Sequence, residues 1–372
     1  MQLPPLPLSS RLVGTFADKP PKMPAQINAV GDSKTLPRNR CLRSAGSPRS
    51  ESNLRVVGSG PSPAGDICGP SSKSPMADLF LKVIWVAIIM KKRTVMSSSP
   101  VFLITGCSSG LGYEMSRVAL ERGFRVIATA RRVETLASLK EQGAATLPLD
   151  VTASPSELAA FARSAWDVYG QVDVLINNAG YLTGGAFEEH TREEIFAQLN
   201  TNVLSVLALT NAFLPFMRER RTGTIVNISS QGGGMVFPGV GVYTMSKAAI
   251  DSVSDTWAAE LKEFGIRCVS VQVGSFRTEV LKSTNVRRAA RKIEGYTLAK
   301  SVAENLIAGG GKEPGDPAKC AQRVIDYVSQ LGELPSARLA VGDDAYENLR
   351  AALVTKIEEM DKVKEWSVGT NL

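Results

Sequence analysis

The sequence has a single histidine, His190, among 372 residues. A Ser-His-Asp hydrolase would have to rest on that one imidazole. A metal centre would have to be built from carboxylates, because the five cysteines, at 41, 68, 107, 268 and 320, form no CxxC pair. Their odd number argues against a disulfide framework and fits a reducing compartment. No metal is expected, and His190, just ahead of a helix start, is expected to be a partly exposed turn residue. The apolar run Ala77 to Met90 contains Lys82 and falls short of the roughly 20 residues that span a bilayer. It lies far from the N-terminus with Lys91, Lys92 and Arg93 behind it, which does not fit a signal peptide. A short membrane-associating helix, a helix packed on the domain, and an extension outside the functional protein remain open. Met96 opens MSSSPVFLITG, a natural start for a cytoplasmic protein, and favours the third.

Basic charge is also scarcer than the total suggests. The formal net charge is +7, but residues 1–95 hold 14 Lys and Arg against 5 acidic residues, which leaves the remainder with 29 against 31. The main body therefore has no basic excess with which to bind nucleic acid. Residues 1–95 also hold 12 of the 20 prolines. Rich in serine and without a sustained apolar period, they read as a disordered extension to a single domain over 96–372.

From Val101 onward short β-branched apolar runs alternate with helical stretches. Strands are expected at Val101 to Thr105, Phe124 to Thr129, Thr146 to Leu149, Val172 to Asn177, Thr224 to Ser229, Arg267 to Val273 and Arg338 to Val341. Ser154, Pro155 and Glu157 form a capping box with proline at the first helical position, and Thr191 with Glu194 forms another. Alternating βα units of this kind imply an α/β fold, a doubly wound parallel sheet with helices on both faces. Its ligands bind beyond the carboxyl ends of the strands. The stretch Thr278 to about Asp316 reads as long, irregular and locally basic, with Arg287, Arg288, Arg291 and Lys292.

Two stretches carry chemistry. The first strand runs into TGCSSGLG, residues 105–112, where Gly106, Gly110 and Gly112 let the backbone turn and approach a pyrophosphate at a helix N-terminus. Further on, Tyr243 and Lys247 stand four apart at the head of a helix whose apolar residues Ile250, Val253, Trp257, Leu261 and Phe264 recur at spacings of three and four. They share a helix face, so an ammonium beside the phenol is expected to lower its pKa from about 10. The second strand ends Ala128, Thr129, Ala130, Arg131, Arg132, with no acid at its tip. A guanidinium there suits a 2′-phosphate, so NADP(H) is the expected cofactor, with Arg131 as the better reader.

The glycine spacing, Gly-x-x-x-Gly-x-Gly, resembles that of the short-chain dehydrogenase/reductase family, in its compact single-domain branch. The resemblance implies a Rossmann-type fold and a cofactor cradle of Gly106, Ser108, Ser109, Gly110, Leu111 and Gly112. Asp150 in LDVT matches the family's adenine contact, and Asn177, Asn178, Ala179 and Gly180 match its NNAG. Asn202 matches the asparagine that holds a water in a proton relay. The family places its serine thirteen positions before the tyrosine, which selects Ser230 with Ser229 as its neighbour. Ser230, Tyr243, Lys247 and Asn202 are thus the implied catalytic set.

After the sixth strand this chain reads Val273, Gly274, Ser275, Phe276, Arg277, Thr278, where the family has proline followed by glycine. Val273 is expected to loosen the loop, with Phe276 and Thr278 on the cofactor. The resemblance implies an oxidoreductase acting on a small-molecule ketone, aldehyde or alcohol, and subunits paired through the helices that contain Asn202 and Tyr243. An epimerase or dehydratase also uses Tyr-x-x-x-Lys but generally shows another glycine spacing, and a silent NADP-binding sensor would need no such tetrad.

Overall fold

The computed structural model describes residues 99–282 and 285–371; the expectations for residues 1–95 lie outside them. β1 (Val101–Ile104), β2 (Arg125–Ala130), β3 (Ala145–Pro148), β4 (Val174–Asn177), β6 (Gly223–Ser230), β7 (Ile266–Val273) and β9 (Arg338–Val341) form one sheet in the order β3-β2-β1-β4-β6-β7-β9. Every pairing in it is parallel. All seven strands lie where the apolar runs placed them. A second sheet, two residues per strand, pairs β5 (Thr183–Gly184) with β8 (Arg287–Arg288).

Parallel strands covered on both faces must be apolar on both, and β1 shows how one VFLI segment serves two cores. Phe102 and Ile104 face a cluster with Met115 and Val118 of α1 (Gly110–Glu121) and Val324, Ile325 and Val328 of α8 (Pro317–Val328). Val101 and Leu103 face the other way. They meet Leu158 and Ala162 of α3 (Pro155–Tyr169), Leu209 and Phe213 of α5 (Ser205–Arg220), and Ile250 and Trp257 of α6 (Gly241–Glu260). A short α2 (Ala137–Glu141) lies between β2 and β3.

Both capping boxes form. Ser154 Oγ accepts from Glu157 N while Ser154 N donates to Glu157 Oε2 at 2.9 Å. Thr191 and Glu194 exchange the same pair of bonds at the head of α4 (Arg192–Leu199). α4 continues through a wide π-helical turn, Asn200–Leu204, into α5. Among the described residues Arg192–Arg220 is the one helical run long and apolar enough to cross a membrane, and here Leu209, Phe213 and Met217 on it pack under the sheet.

Three expectations need correcting. The stretch after Thr278 is not irregular throughout: it contains α7 (Thr297–Ala308), whose buried face is the small residues Ala299 and Ala303. His190 does sit in the turn before α4, but it is buried, at 3% exposure, because the 287–293 segment folds over it and Arg291 donates to its carbonyl at 2.7 Å. The loop after β7 is not loosened by Val273. Asp344, in the first turn of α9 (Asp343–Lys362), accepts from Ser275 N at 2.8 Å and from Gln231 Nε2 at 3.0 Å, and a Cβ on Gly274 would run into its carboxylate. A final short helix, α10 (Lys364–Ser367), follows α9.

Candidate active site

The strand order reverses between β1 and β4, and the crevice beyond their carboxyl ends is where ligands bind in doubly wound sheets. A cavity of about 740 Å³ opens there, within the range of small-molecule sites. One end is built by the turn from β1 into α1. Gly106 has φ +70 and Gly110 φ +61, left-handed backbone that favours glycine. Gly112 is required for space: a Cβ there would meet Gly106 O and, at 2.5 Å, Asn178 Nδ2. No side chain caps α1, and its first turn carries no acid, so its open N–H groups and dipole face the cavity. A cradle of this shape fits a diphosphate.

The NNAG segment is tied to that turn. Thr105 Oγ1 accepts from Asn178 N at 2.9 Å and Ala179 N at 3.0 Å, and Asn178 Nδ2 donates to Thr105 O at 2.8 Å. Arg131 and Asp150 lie together on the cavity wall at the tips of β2 and β3. The Asp150 carboxyl is held below its ordinary pKa by the Thr152 hydroxyl and N–H, and to a smaller extent by Arg131. Both Thr152 bonds go to Oδ1. Opposite, Thr278 comes within 3.5 Å of where a Gly110 side chain would begin, so the loop after β7 meets the glycine turn across the crevice.

The other end is set by β6 and α6. Ser230 is the last residue of β6; its Oγ accepts from Gly232 N at 3.1 Å, which leaves its proton to be donated elsewhere. Tyr243 and Lys247 lie one turn apart near the start of α6 and both line the cavity. Lys247 is buried, and its Nζ donates to Ile228 O at 2.8 Å while standing 5.6 Å from the Tyr243 ring centroid. Burial lowers its pKa to about 8, opposed by the nearby Asp251 carboxylate.

The expected lowering of the phenol by the ammonium is not found. Burial raises the Tyr243 pKa, and the Ser230 hydroxyl is the group that pulls it back. The amine donates to the Ile228 carbonyl rather than to the phenol. Asn202 is buried in the π-helical turn. Its Oδ1 accepts from Tyr181 N at 3.2 Å, and its Nδ2 donates to Tyr181 O and Ser246 Oγ, each at 3.1 Å. Ser246 in turn donates to Tyr243 O at 2.6 Å. The amide therefore splices the NNAG segment to the helix of Tyr243, and its hydrogen bonds go to Tyr181 and Ser246 rather than to Lys247.

Gly106, Ser108, Ser109, Gly110, Leu111, Arg131, Asp150, Asn178, Ala179, Gly180, Tyr243, Lys247 and Thr278 all line the one cavity. Others in the expected set do not. Asn177 is buried under β4, donating to Thr210 Oγ1 and Asn227 Oδ1, and so supports the sheet from inside. Arg132 points to solvent ahead of a short 3-10 turn. Phe276 is in the core against Gly315 and Gly342, because the bond from Ser275 to Asp344 turns the chain inward there. Tyr181, Thr201, Val280, Asn285 and Arg287 line the cavity without having been expected as ligand contacts; only the basic character of the Arg287 region signalled them.

The comparisons agree with this architecture. Residues 100–289 match the family model described as short chain dehydrogenase. The chain is 39% identical over 243 residues to 3-ketodihydrosphingosine reductase of Bacteroides thetaiotaomicron, covering 65% of this chain and 87% of that protein. A short-chain dehydrogenase from Streptomyces avermitilis superposes with a TM-score of 0.67 at 35% identity, covering 74% of this chain and 100% of that one. A variant of actinorhodin polyketide ketoreductase with NADPH superposes at 0.55 with 28% identity, covering 66% of this chain and 97% of its own. A short-chain dehydrogenase/reductase from Burkholderia phymatum in complex with NAD, 21% identical, shares the fold, with a TM-score of 0.59 and coverage of 74% and 97%.

Proposed function

The chain belongs to the short chain dehydrogenase family, and from that premise we propose that it is an NADP(H)-dependent oxidoreductase interconverting a ketone or aldehyde and the corresponding alcohol. The observation that carries the reading is one cavity shared by an uncapped glycine-built helix start, a guanidinium at the tip of β2, and Tyr243 and Lys247, with the Ser230 hydroxyl bonded to the Tyr243 phenol. The ketoreductase names among the relatives support the carbonyl chemistry.

A bound nicotinamide dinucleotide supplies the hydride. The protein's own part is to hold it and to manage one proton. The glycine turn and the open N–H groups of α1 receive its diphosphate, and Arg131 favours a 2′-phosphate over a hydroxyl. Tyr243 Oη gives a proton to the substrate oxygen in reduction and takes one in oxidation. Burial keeps the phenol neutral and ready to donate, and the Ser230 hydroxyl, its lone pair already engaged by Gly232 N–H, steadies charge on oxygen. Lys247, with a pKa near 8, changes charge close to neutral pH and can resupply the proton. Asn202 acts in this scheme by tying Tyr181 to Ser246, whose hydroxyl bonds the Tyr243 carbonyl.

Residues 96–372 form the catalytic unit in this reading and residues 1–95 an extension to it; the family match begins at residue 100. Pairing of two subunits through α4, α5 and α6 belongs to the same reading, supported by the exposed apolar side chains Phe196, Leu204 and Met245 there. The test is consumption of NADPH and of NADH, followed by absorbance, against a panel of ketones, aldehydes and secondary alcohols. Selective turnover with NADPH is expected. Substrate conversion with no net change in nicotinamide absorbance would instead favour an epimerase or dehydratase.

A further inference from the structure

Arg287 is an exposed basic residue on the cavity wall. β8 pairs with β5, with Arg287 N donating to Leu182 O at 3.1 Å and Ala289 N to Gly184 O at 2.9 Å, so its backbone is held on a ladder. Its guanidinium lies 4.0 Å over the Tyr181 ring, a stacked arrangement that fixes the fork while leaving its N–H groups available. No carboxylate pairs with Arg287 among the described residues, and Glu279, an acid on the same cavity wall, is paired with Lys282 at 2.5 Å. Beneath it, the Tyr181 hydroxyl is buried, with Arg287 and Thr201 as its polar neighbours. Both Tyr181 and Arg287 line the 740 Å³ cavity.

An exposed guanidinium on the cavity wall, held over an aromatic ring and paired with no carboxylate among the described residues, makes a recognition site for an oxyanion. The ladder places it at the Tyr243 end. Gly185 N donates to Gly239 O at 2.7 Å, two residues before α6 begins, and Val286, next to Arg287, packs with Leu182 in the apolar cluster that Tyr243 joins. The glycine turn and Arg131 lie at the far end, beyond β1 and β2. Arg287 and Tyr243 line the same cavity, so one molecule there can touch Arg287 and present its reacting group to Tyr243.

We infer that the substrate carries an oxyanion, a carboxylate in the simplest case, which Arg287 binds from its stacked position over the Tyr181 ring. The inference rests on the carbonyl-reductase reading and narrows its substrate class from any carbonyl compound to an oxo acid or hydroxy acid.

The test compares 3-oxobutanoate with its methyl ester, the full chain and NADPH being the same in both assays. Wild type is expected to favour the acid in kcat/KM. Arg287→Gln is expected to lower the acid-to-ester ratio about tenfold or more, the scale of a lost hydrogen bond to a charged group, and Arg287→Lys to recover part of it. An unchanged ratio would overturn the inference. So would a variant whose only defect is a raised KM for NADPH, which would assign Arg287 to the cofactor's phosphates.

If wild type reduces neither compound, butanoate is titrated against the enzyme–NADPH complex and followed by nucleotide fluorescence. Binding about tenfold weaker in Arg287→Gln than in wild type sustains the oxyanion site; equal binding removes it. Failure of the redox reading itself appears separately, as absence of turnover on every carbonyl of the wider panel.

Discussion

Replacing Lys247 with methionine should stabilise the cofactor-free protein at neutral pH while abolishing its turnover. Lys247 is 8% exposed, and burial lowers its pKa from 10.5 to about 8. Below pH 8 the amine is charged in both the folded and the unfolded chain, and the folded state carries the full desolvation penalty, about 3 kcal/mol for a gap of that size. Between about 8 and 10.5 the unfolded chain binds more protons than the folded one, so stability rises with pH and the penalty fades. Methionine keeps the length of the stem and removes the charge, but it also removes the bond to Ile228 O, worth about 1 kcal/mol. A net gain of about 2 kcal/mol at pH 7 is expected, shrinking by pH 9.5. Urea unfolding of both proteins at the two pH values measures it. A variant less stable than wild type at pH 7, or a difference that does not change with pH, would refute the reasoning and mean that the ammonium is well solvated or well paired in the fold.

Two further substitutions probe the cofactor end. Arg131→Ala should shift the NADPH/NADH ratio of kcat/KM towards NADH by about tenfold or more, the scale of a lost charge-assisted contact; an unchanged ratio would remove Arg131 as the reader of the 2′-phosphate. Gly112→Ala puts a methyl group against Gly106 O and Asn178 Nδ2, so NADPH binding, measured by fluorescence titration, should weaken by about tenfold or more as the turn is forced open. Binding as tight as wild type would show that the cradle has slack.

Most of the fold was legible because its inner strands are buried on both faces, and such strands appear as short β-branched runs whatever their partners are. The glycine turn and the Tyr243–Lys247 pair were legible for a related reason: each is a local pattern on one element. The features that escaped notice depend on partners distant in sequence. β5 and β8 are two residues each, Thr183–Gly184 and Arg287–Arg288, with no apolar alternation to announce a strand. α7 fully buries only the small residues Ala299 and Ala303, with Leu306 and Ile307 half-buried at its end, which leaves no continuous apolar stripe to see.

Asp344 takes up the slack left by Val273 from 69 residues beyond Ser275, and nothing near either residue hints at the bond. The Tyr243 pKa was misjudged because spacing alone gives proximity to an ammonium but not the burial of both groups, and burial dominates here. Phe276 illustrates the same limit: position after a strand end suggested a ligand contact, whereas its packing against Gly315 and Gly342 depends on chain that returns much later.

The most direct measurement is single-turnover reduction of a carbonyl compound accepted by wild type, with NADPH, comparing Tyr243→Phe with wild type and measuring NADPH affinity alongside. Removal of the one hydroxyl should slow the chemical step by roughly 100-fold or more and leave NADPH affinity within about threefold, since the phenyl ring still fills its place in the wall. A Tyr243→Phe protein that reduces the carbonyl at the wild-type rate would contradict the account.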